Sequence, residues 1–249
     1  MSKKRRSGIW ETIKTIAYAV LVALFVRTFA YEPFNIPSGS MIPTLLEGDY
    51  LFVSKFSYGY SRYSLPLSLK LFSGRIAGQA PKRGDVAVFR LPIDDDTDYI
   101  KRIVGLPGDR IQVKNGVLFI NDQKVKRYRV DDFVEIDFLG RERRIPQYRE
   151  TLPNGPSYHV LDSNPNSTLD NTGVFTVPAS HFFAMGDNRD NSIDSRVPPE
   201  RRGVGFIPGV NLIGRADVLF FSTDGSAPLW EVWNWFDSIR WKRIFQTVD

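Results

Sequence analysis

Residues 98–120 read DYIKRIVGLPGDRIQVKNGVLFI: short β-prone stretches separated by Gly105-Leu106-Pro107-Gly108 and by Lys114-Asn115-Gly116. Successive side chains on a strand point to opposite faces, so Tyr99, Lys101 and Ile103 share one face of a strand over 99–104. Asn-Gly between two such runs predicts a hairpin joining 110–113 to 117–120. Working outward, the same pattern places strands at 50–55, 85–90, 174–177, 181–185 and 212–221. Residues 58–80 read as an excursion loop or hairpin. Residues 131–172 are polar and turn-rich, with weak strand patterning, and read as a loop-heavy insertion. With 16 prolines and 19 glycines among 249 residues, strands and turns are favoured over long helices.

One segment departs from this pattern. Residues 9–30 are strongly apolar, and 15–26 carry no charge. That uncharged core is shorter than the ~20 residues a spanning helix needs. It suffices if Lys14 and Arg27 lie near the two ends and snorkel to the interfaces. Lys3, Lys4, Arg5 and Arg6 precede the span and place the amino terminus in the cytoplasm, with everything after Tyr31 outside it. A cleaved signal peptide, with Thr28-Phe29-Ala30 as its cut site, and a buried core helix are the competing readings. Pro33 is expected to end the helix.

The expected class is therefore all-β: a larger antiparallel β-sheet domain with an inserted smaller β domain, preceded by one N-terminal transmembrane helix. The expected divisions are a basic tail at 1–8, an anchor at 9–31, a main domain at 32–109 plus 181–249, and an insertion at 110–180. At the carboxyl end, Trp230, Trp233, Trp235 and Trp241 gather with Phe236, Arg240, Lys242 and Arg243. That mixture suits a bilayer interface, and equally an amphipathic helix packed on the protein's own sheet.

Composition removes several classes of function. There is no cysteine, which excludes thiol catalysis and thiolate metal sites. His159 and His181 alone make a histidine-rich metal site a poor fit. The net charge is +5, and the four basic residues of the tail account for all but +1 of it (5 − 4), so no basic surface for nucleic acid is expected.

Three clusters carry chemistry. Pro37-Ser38-Gly39-Ser40-Met41-Ile42-Pro43-Thr44-Leu45 stiffens a pair of serines between prolines. Alone it is an ordinary Ser/Gly/Pro turn. Lys101 between Tyr99 and Ile103 is partly desolvated if that face turns inward, which lowers its pKa from ~10.4 and lets it accept a proton. On an edge strand it is merely a solvated lysine. Gly186-Asp187-Asn188-Arg189-Asp190-Asn191-Ser192-Ile193-Asp194-Ser195-Arg196 is a dense polar run. Its spacing does not fit an EF-hand loop, so a self-bonded loop bracing a site is the better reading, with Asp194 and Arg196 as a pair.

In this order, anchor, Ser40 segment, Lys101 segment and Gly186-to-Arg196 run, the chain resembles the bacterial type I signal peptidases over nearly its whole length. The resemblance implies a membrane-bound Ser/Lys serine endopeptidase acting on exported pre-proteins after Ala-x-Ala-like sites. It implies Ser40 as nucleophile and Lys101 as general base, with Ser38 and the Ser40 N–H as the oxyanion hole. Ser192 then supports the lysine, and Asp194 and Arg196 form a structural ion pair. Phe34, Ile36, Pro37, Met41, Leu45, Val88, Asp98, Tyr99 and Ile100 are implied to contact substrate. No metal or cofactor is expected, the expected partners are signal peptides and the lipid bilayer, and oligomeric state is not legible. The rival readings are a Ser/His/Asp protease built on His159 or His181, a self-cleaving repressor, and an inert membrane-tethered β domain that binds exported chains. The repressor would need a helix-turn-helix before Ser40, and none precedes it.

Overall fold

The computed structural model describes residues 4–65, 68, 72–136, 141–226, 231 and 233–248. Lys3 and Trp230 lie outside them.

Helix α1 (Lys4–Phe29) is continuous, and its apolar side chains from Ile9 to Phe29 are almost all exposed. Its apolar part, Gly8–Phe29, holds 22 residues. At 1.5 Å per residue that is about 33 Å, enough to cross the ~30 Å of a bilayer's hydrocarbon. Within it Lys14 pairs with Glu11 at 3.2 Å, and at the far end Arg27 pairs with Glu32 at 2.9 Å. The helix stops at Phe29, before Pro33 can act. Pro33 lies inside a strand, β1 (Tyr31–Asn35), that the sequence pattern did not reveal. β1 is the outer strand of its sheet, where a residue without an N–H is tolerated.

The other strands of this main sheet are β2 (Asp49–Ser54), β3 (Val86–Arg90), β4 (Asp98–Gly105), β14 (His181–Met185), β15 (Ile207–Pro208) and β16 (Leu212–Ser222). Their spatial order is β1-β2-β16-β3-β4-β14-β15, antiparallel throughout. Alternation along β3 sends Val86 and Val88 into one core with Met41, Leu45 and Leu51, and Ala87 and Phe89 into another with Ile103 and Ala184. Both faces are covered, so β3 reads as a continuous apolar run.

Between β4 and β14 come nine strands of two to five residues. β5 (Arg110–Lys114) and β6 (Val117–Ile120) form the Asn-Gly hairpin, with Asn115 at φ +48° and Gly116 at φ +71°, as a type I′ turn requires. β7 (Gln123–Lys124) and, later, β13 (Phe175–Thr176) complete their sheet. β8 (Lys126–Arg129), β11 (Gln147–Thr151) and β12 (Ser157–Leu161) form a three-stranded sheet, and β9 (Phe133–Ile136) and β10 (Glu142–Ile145) a two-stranded one. The expectation of loops over 131–172 is thus corrected: four strands lie there. They escaped notice because the fully buried position of β11 is Glu150, paired with Arg189, so a charge stands where alternation would call for an apolar residue. A third core, with Val104, Ile111, Leu118, Val160 and Phe183, joins these strands to β4 and β14.

After β16, α2 (Trp235–Ser238) is a single turn rather than an amphipathic helix. The segment is held by polar contacts, above all Arg243 bidentate to buried Asp49 at 3.0 and 2.5 Å. Trp233, Phe236, Trp241 and Phe245 remain exposed.

Candidate functional site

Ser40 is the middle residue of a single 3₁₀ turn, Gly39–Met41, that follows β1. In such a turn the first amides have no helical acceptor. Here the first helical bond runs from Ile42 N–H to Gly39 C=O, so the Ser40 N–H precedes it. Ser38 occupies the position that normally caps the turn, yet its side chain makes no capping hydrogen bond. Met41 and Leu45, fully buried, hold the turn in the core beside Leu51 and Val53.

Lys101 lies in the middle of β4, opposite Ala87 of β3. It is 4% exposed. Its Nζ is hydrogen-bonded to Ser40 Oγ at 2.7 Å and donates to the Ile100 carbonyl at 2.9 Å. The Tyr99 ring lies 5.2 Å from Nζ. Among the described residues no carboxylate comes within ion-pair distance of it. Burial therefore dominates and drives the Lys101 pKa down to about 8, with the more distant charges of Asp194 and Asp187 opposing the shift.

The polar run after β14 locks these two residues together. Asp187 is bidentate to Arg102, with Nε–Oδ1 2.9 Å and Nη2–Oδ2 2.8 Å, and accepts from Thr44 Oγ1 at 2.5 Å. One carboxylate thus ties β4, next to Lys101, to the Ser40 segment. Asn188 N–H donates to the Ser40 carbonyl at 3.1 Å, and Asn188 Nδ2 donates to the Gly39 carbonyl at 3.0 Å. Asp194 is fully buried and bidentate to Arg196 at 2.9 Å on both arms, and it accepts from the Gly186 N–H at 3.0 Å. Arg196 and these N–H groups hold its carboxyl below the usual range, although burial acts the other way. At Gly186 an added Cβ would meet Ser192 Oγ at 2.2 Å and the Ser40 carbonyl oxygen at 2.6 Å, so no side chain fits between them.

Ser40 and Lys101 open onto a cleft of about 570 Å³. Of the residues singled out in the sequence, Ser38, Ser192, Phe34, Ile36, Pro37 and Val88 line it, and so do Asp98, Tyr99 and Ile100. Met41 and Leu45 do not: they are core residues, because the turn points them away from the opening. Ser192 is 6% exposed and its hydroxyl makes no hydrogen bond among the described residues, so the bond to Lys101 implied for it is not formed here. Neither His159 nor His181 lines the cleft, which leaves a Ser/His/Asp arrangement without its base.

Sequence reasoning missed Thr97, Leu169, Asn191, Ile193 and Val197 as cleft residues, and Thr44, Arg102, Asp187 and Asn188 as its framework. One signal was readable for the framework: an arginine at an inward position of an apolar strand demands a carboxylate partner, and the polar run was the densest source of one.

A family model described as "Signal peptidase, peptidase S26" matches residues 9–221. A "Signal peptidase I" of Rickettsia typhi is 39% identical over 98% of this chain and 96% of its own length. One from Rickettsia conorii is 41% identical over 94% of this chain and 91% of its own. Among solved structures, a signal peptidase I from Enterococcus faecalis V583 aligns with a TM-score of 0.33 and 22% identity, covering 55% of this chain and 97% of that one.

Proposed function

We propose, from the premise that this chain belongs to the signal peptidase family, peptidase S26, that it removes signal peptides from exported pre-proteins by acyl transfer through Ser40 and Lys101. The observation that carries this reading is the 2.7 Å contact between a serine hydroxyl and a buried lysine whose pKa is about 8.

The neutral Lys101 amine accepts the Ser40 proton as Oγ attacks the scissile carbonyl. The Ile100 carbonyl accepts from Nζ at 2.9 Å, which helps hold the amine beside Ser40. The Ser40 N–H and the Ser38 hydroxyl donate to the developing oxyanion, each worth about 3–4 kcal/mol of barrier. Protonated Lys101 then gives its proton to the leaving amine and, neutral again, draws one from the water that releases the acyl chain. The cleft wall of Phe34, Ile36, Val88, Tyr99 and Ile100 is apolar and accepts small side chains at the positions one and three before the cut.

α1 anchors the enzyme in the cytoplasmic membrane with its amino terminus inside and the cleft outside. The bilayer is thus a partner, and the cleft meets signal peptides at the membrane surface. Residues 110–180 act as an inserted β subdomain within a catalytic domain made of 32–109 and 181–249.

The deciding test is cleavage of a purified pre-protein carrying an Ala-x-Ala site, in detergent, by the wild type, Ser40→Ala and Lys101→Ala. Cutting after the second alanine by the wild type alone is expected. Full activity in Lys101→Ala would sink the dyad. No cutting by a folded wild type would favour the membrane-tethered binding domain.

A further inference from the structure

Behind the cleft wall, three aspartates from two separate segments converge. Asp162 follows β12, Asp170 lies in the connection to β13, and Asp190 sits in the polar run that carries Ser192. One carboxylate oxygen from each lies within 4.8 Å of the others. Asp170 is 2% exposed. Asp162 Oδ1, Asp170 Oδ2 and Asp190 Oδ1 are all buried without a hydrogen-bond partner among the described residues.

The remaining oxygens explain why the free ones stay where they are. Asp190 Oδ2 accepts from the N–H groups of Ser163 and Asn164 at 2.7 and 2.8 Å. Asp162 Oδ2 accepts from Arg127 at 2.5 Å. Two of the carboxylates are thus held through one oxygen, and the other oxygen of each, Asp162 Oδ1 and Asp190 Oδ1, stays buried and unpartnered among the described residues. Among the described residues one guanidinium, that of Arg127, forms an ion pair with this trio, so three carboxylates share one direct counter-ion. Arg196 is bidentate to Asp194, and Lys124 and Arg129 line the cavity beside the trio without an ion pair to it among the described residues.

We propose that Asp162, Asp170 and Asp190 bind a calcium ion that ties the loop after β12 to the Ser192-bearing run. Three protein carboxylates in an irregular setting suit a hard cation that tolerates varied geometry and takes oxygens at ~2.3–2.6 Å, hence about 4.6–5.2 Å across the ion. Magnesium demands near-ideal octahedral geometry and keeps most of its waters. A cavity of about 490 Å³, lined by Asp162, Ser163 and Asp170 and on its far wall by Lys124, Arg127 and Arg129, opens the site to solvent on one side. On the other side Asp190 and Leu169 line the substrate cleft. The ion therefore braces a wall of the active site without touching Ser40 or Lys101. The site has no sequence signature, because its ligands come from two segments rather than one loop.

The test uses the full chain in detergent micelles, stripped with EDTA and held at constant ionic strength. Calcium chloride is expected to raise the unfolding temperature saturably by about 3 °C or more. The expected dissociation constant is in the ~10⁻⁴–10⁻³ M range of extracellular calcium sites. Calorimetric titration should return the same constant. Asp170→Asn should lose the calcium response while melting, without calcium, no lower than the wild type, since it relieves crowded charge. The wild-type titration decides alone if that variant fails to fold. An unfolding temperature and calorimetric trace unmoved by about 10 mM calcium, well above the expected constant, would overturn the proposal in favour of a shared proton or a bridging water. An equal shift from magnesium at equal concentration would overturn it too.

Discussion

Lys101 and Arg102 are neighbours on β4, both buried, and their surroundings treat their charges in opposite ways. Arg102 is bidentate to Asp187, donates to the Gly84 carbonyl at 2.8 Å and has the Tyr158 ring 4.1 Å from its guanidinium carbon. It is charged and structural. Lys101 contacts a hydroxyl and a carbonyl, and its pKa falls to about 8. The difference lies in the counter-ion rather than in burial. A buried cation with a carboxylate keeps its charge and becomes part of the framework, and one without gives up its proton more easily.

The largest expected effect attacks the proposed base. Lys101→Arg keeps a cation but cannot release a proton, so pre-protein cleavage should fall by about 10²–10⁴-fold. Lys101→Met should be equally inactive, yet no less stable near neutral pH. The sign follows from linkage. The folded-state pKa of about 8 lies below the unfolded 10.5, so over that interval the unfolded chain binds more protons and stability rises with pH. Below about 8 the burial cost is present in full, and the methionine variant removes it. A methionine variant that melts well below the wild type would break the comparison.

Next comes the framework. Asp187→Ala removes the carboxylate paired with the buried Arg102 charge, and should cost about 3–5 kcal/mol in denaturant unfolding. Arg102→Met with Asp187→Leu should recover much of that stability, because neither charge remains.

A smaller effect tests the counter-ion directly. Wild-type kcat/KM should rise about tenfold per pH unit and level off above about 8. Ser192→Asp adds a carboxylate at the cleft and should move that limb upward by about one unit or more. An unmoved limb would mean that the titrating group is not Lys101. Last, Arg110→Ala removes an exposed partner of Asp122 at 3.5 Å and should change stability by no more than about 0.5 kcal/mol.

Much of this was legible in the chain. The Asn-Gly hairpin, the strands around Lys101 and the apolar N-terminal helix follow from local pattern, because their signals lie within a few residues of one another. β1 was hidden by Pro33, which reads as a breaker and is tolerated only because the strand is an edge. β11 was hidden by Glu150, whose inward charge is offset by Arg189, 39 residues away. Met41 and Leu45 were expected in the cleft and lie in the core, since an apolar residue next to a nucleophile looks the same in either place until the turn is oriented.

The sequence by itself determined the class of fold, the helix that can span a bilayer and the family to which the chain belongs. Each rests on local periodicity or on the order of motifs along the chain, both of which can be read without knowing what touches what. Only the tertiary structure decided which charges meet. Lys101 touches Ser40 across 61 positions, and Asp187 reaches Arg102 across 85. Whether a lysine is a base or a solvated cation depends on what the fold leaves beside it, and one strand's pattern carries no information about the partner that another strand supplies.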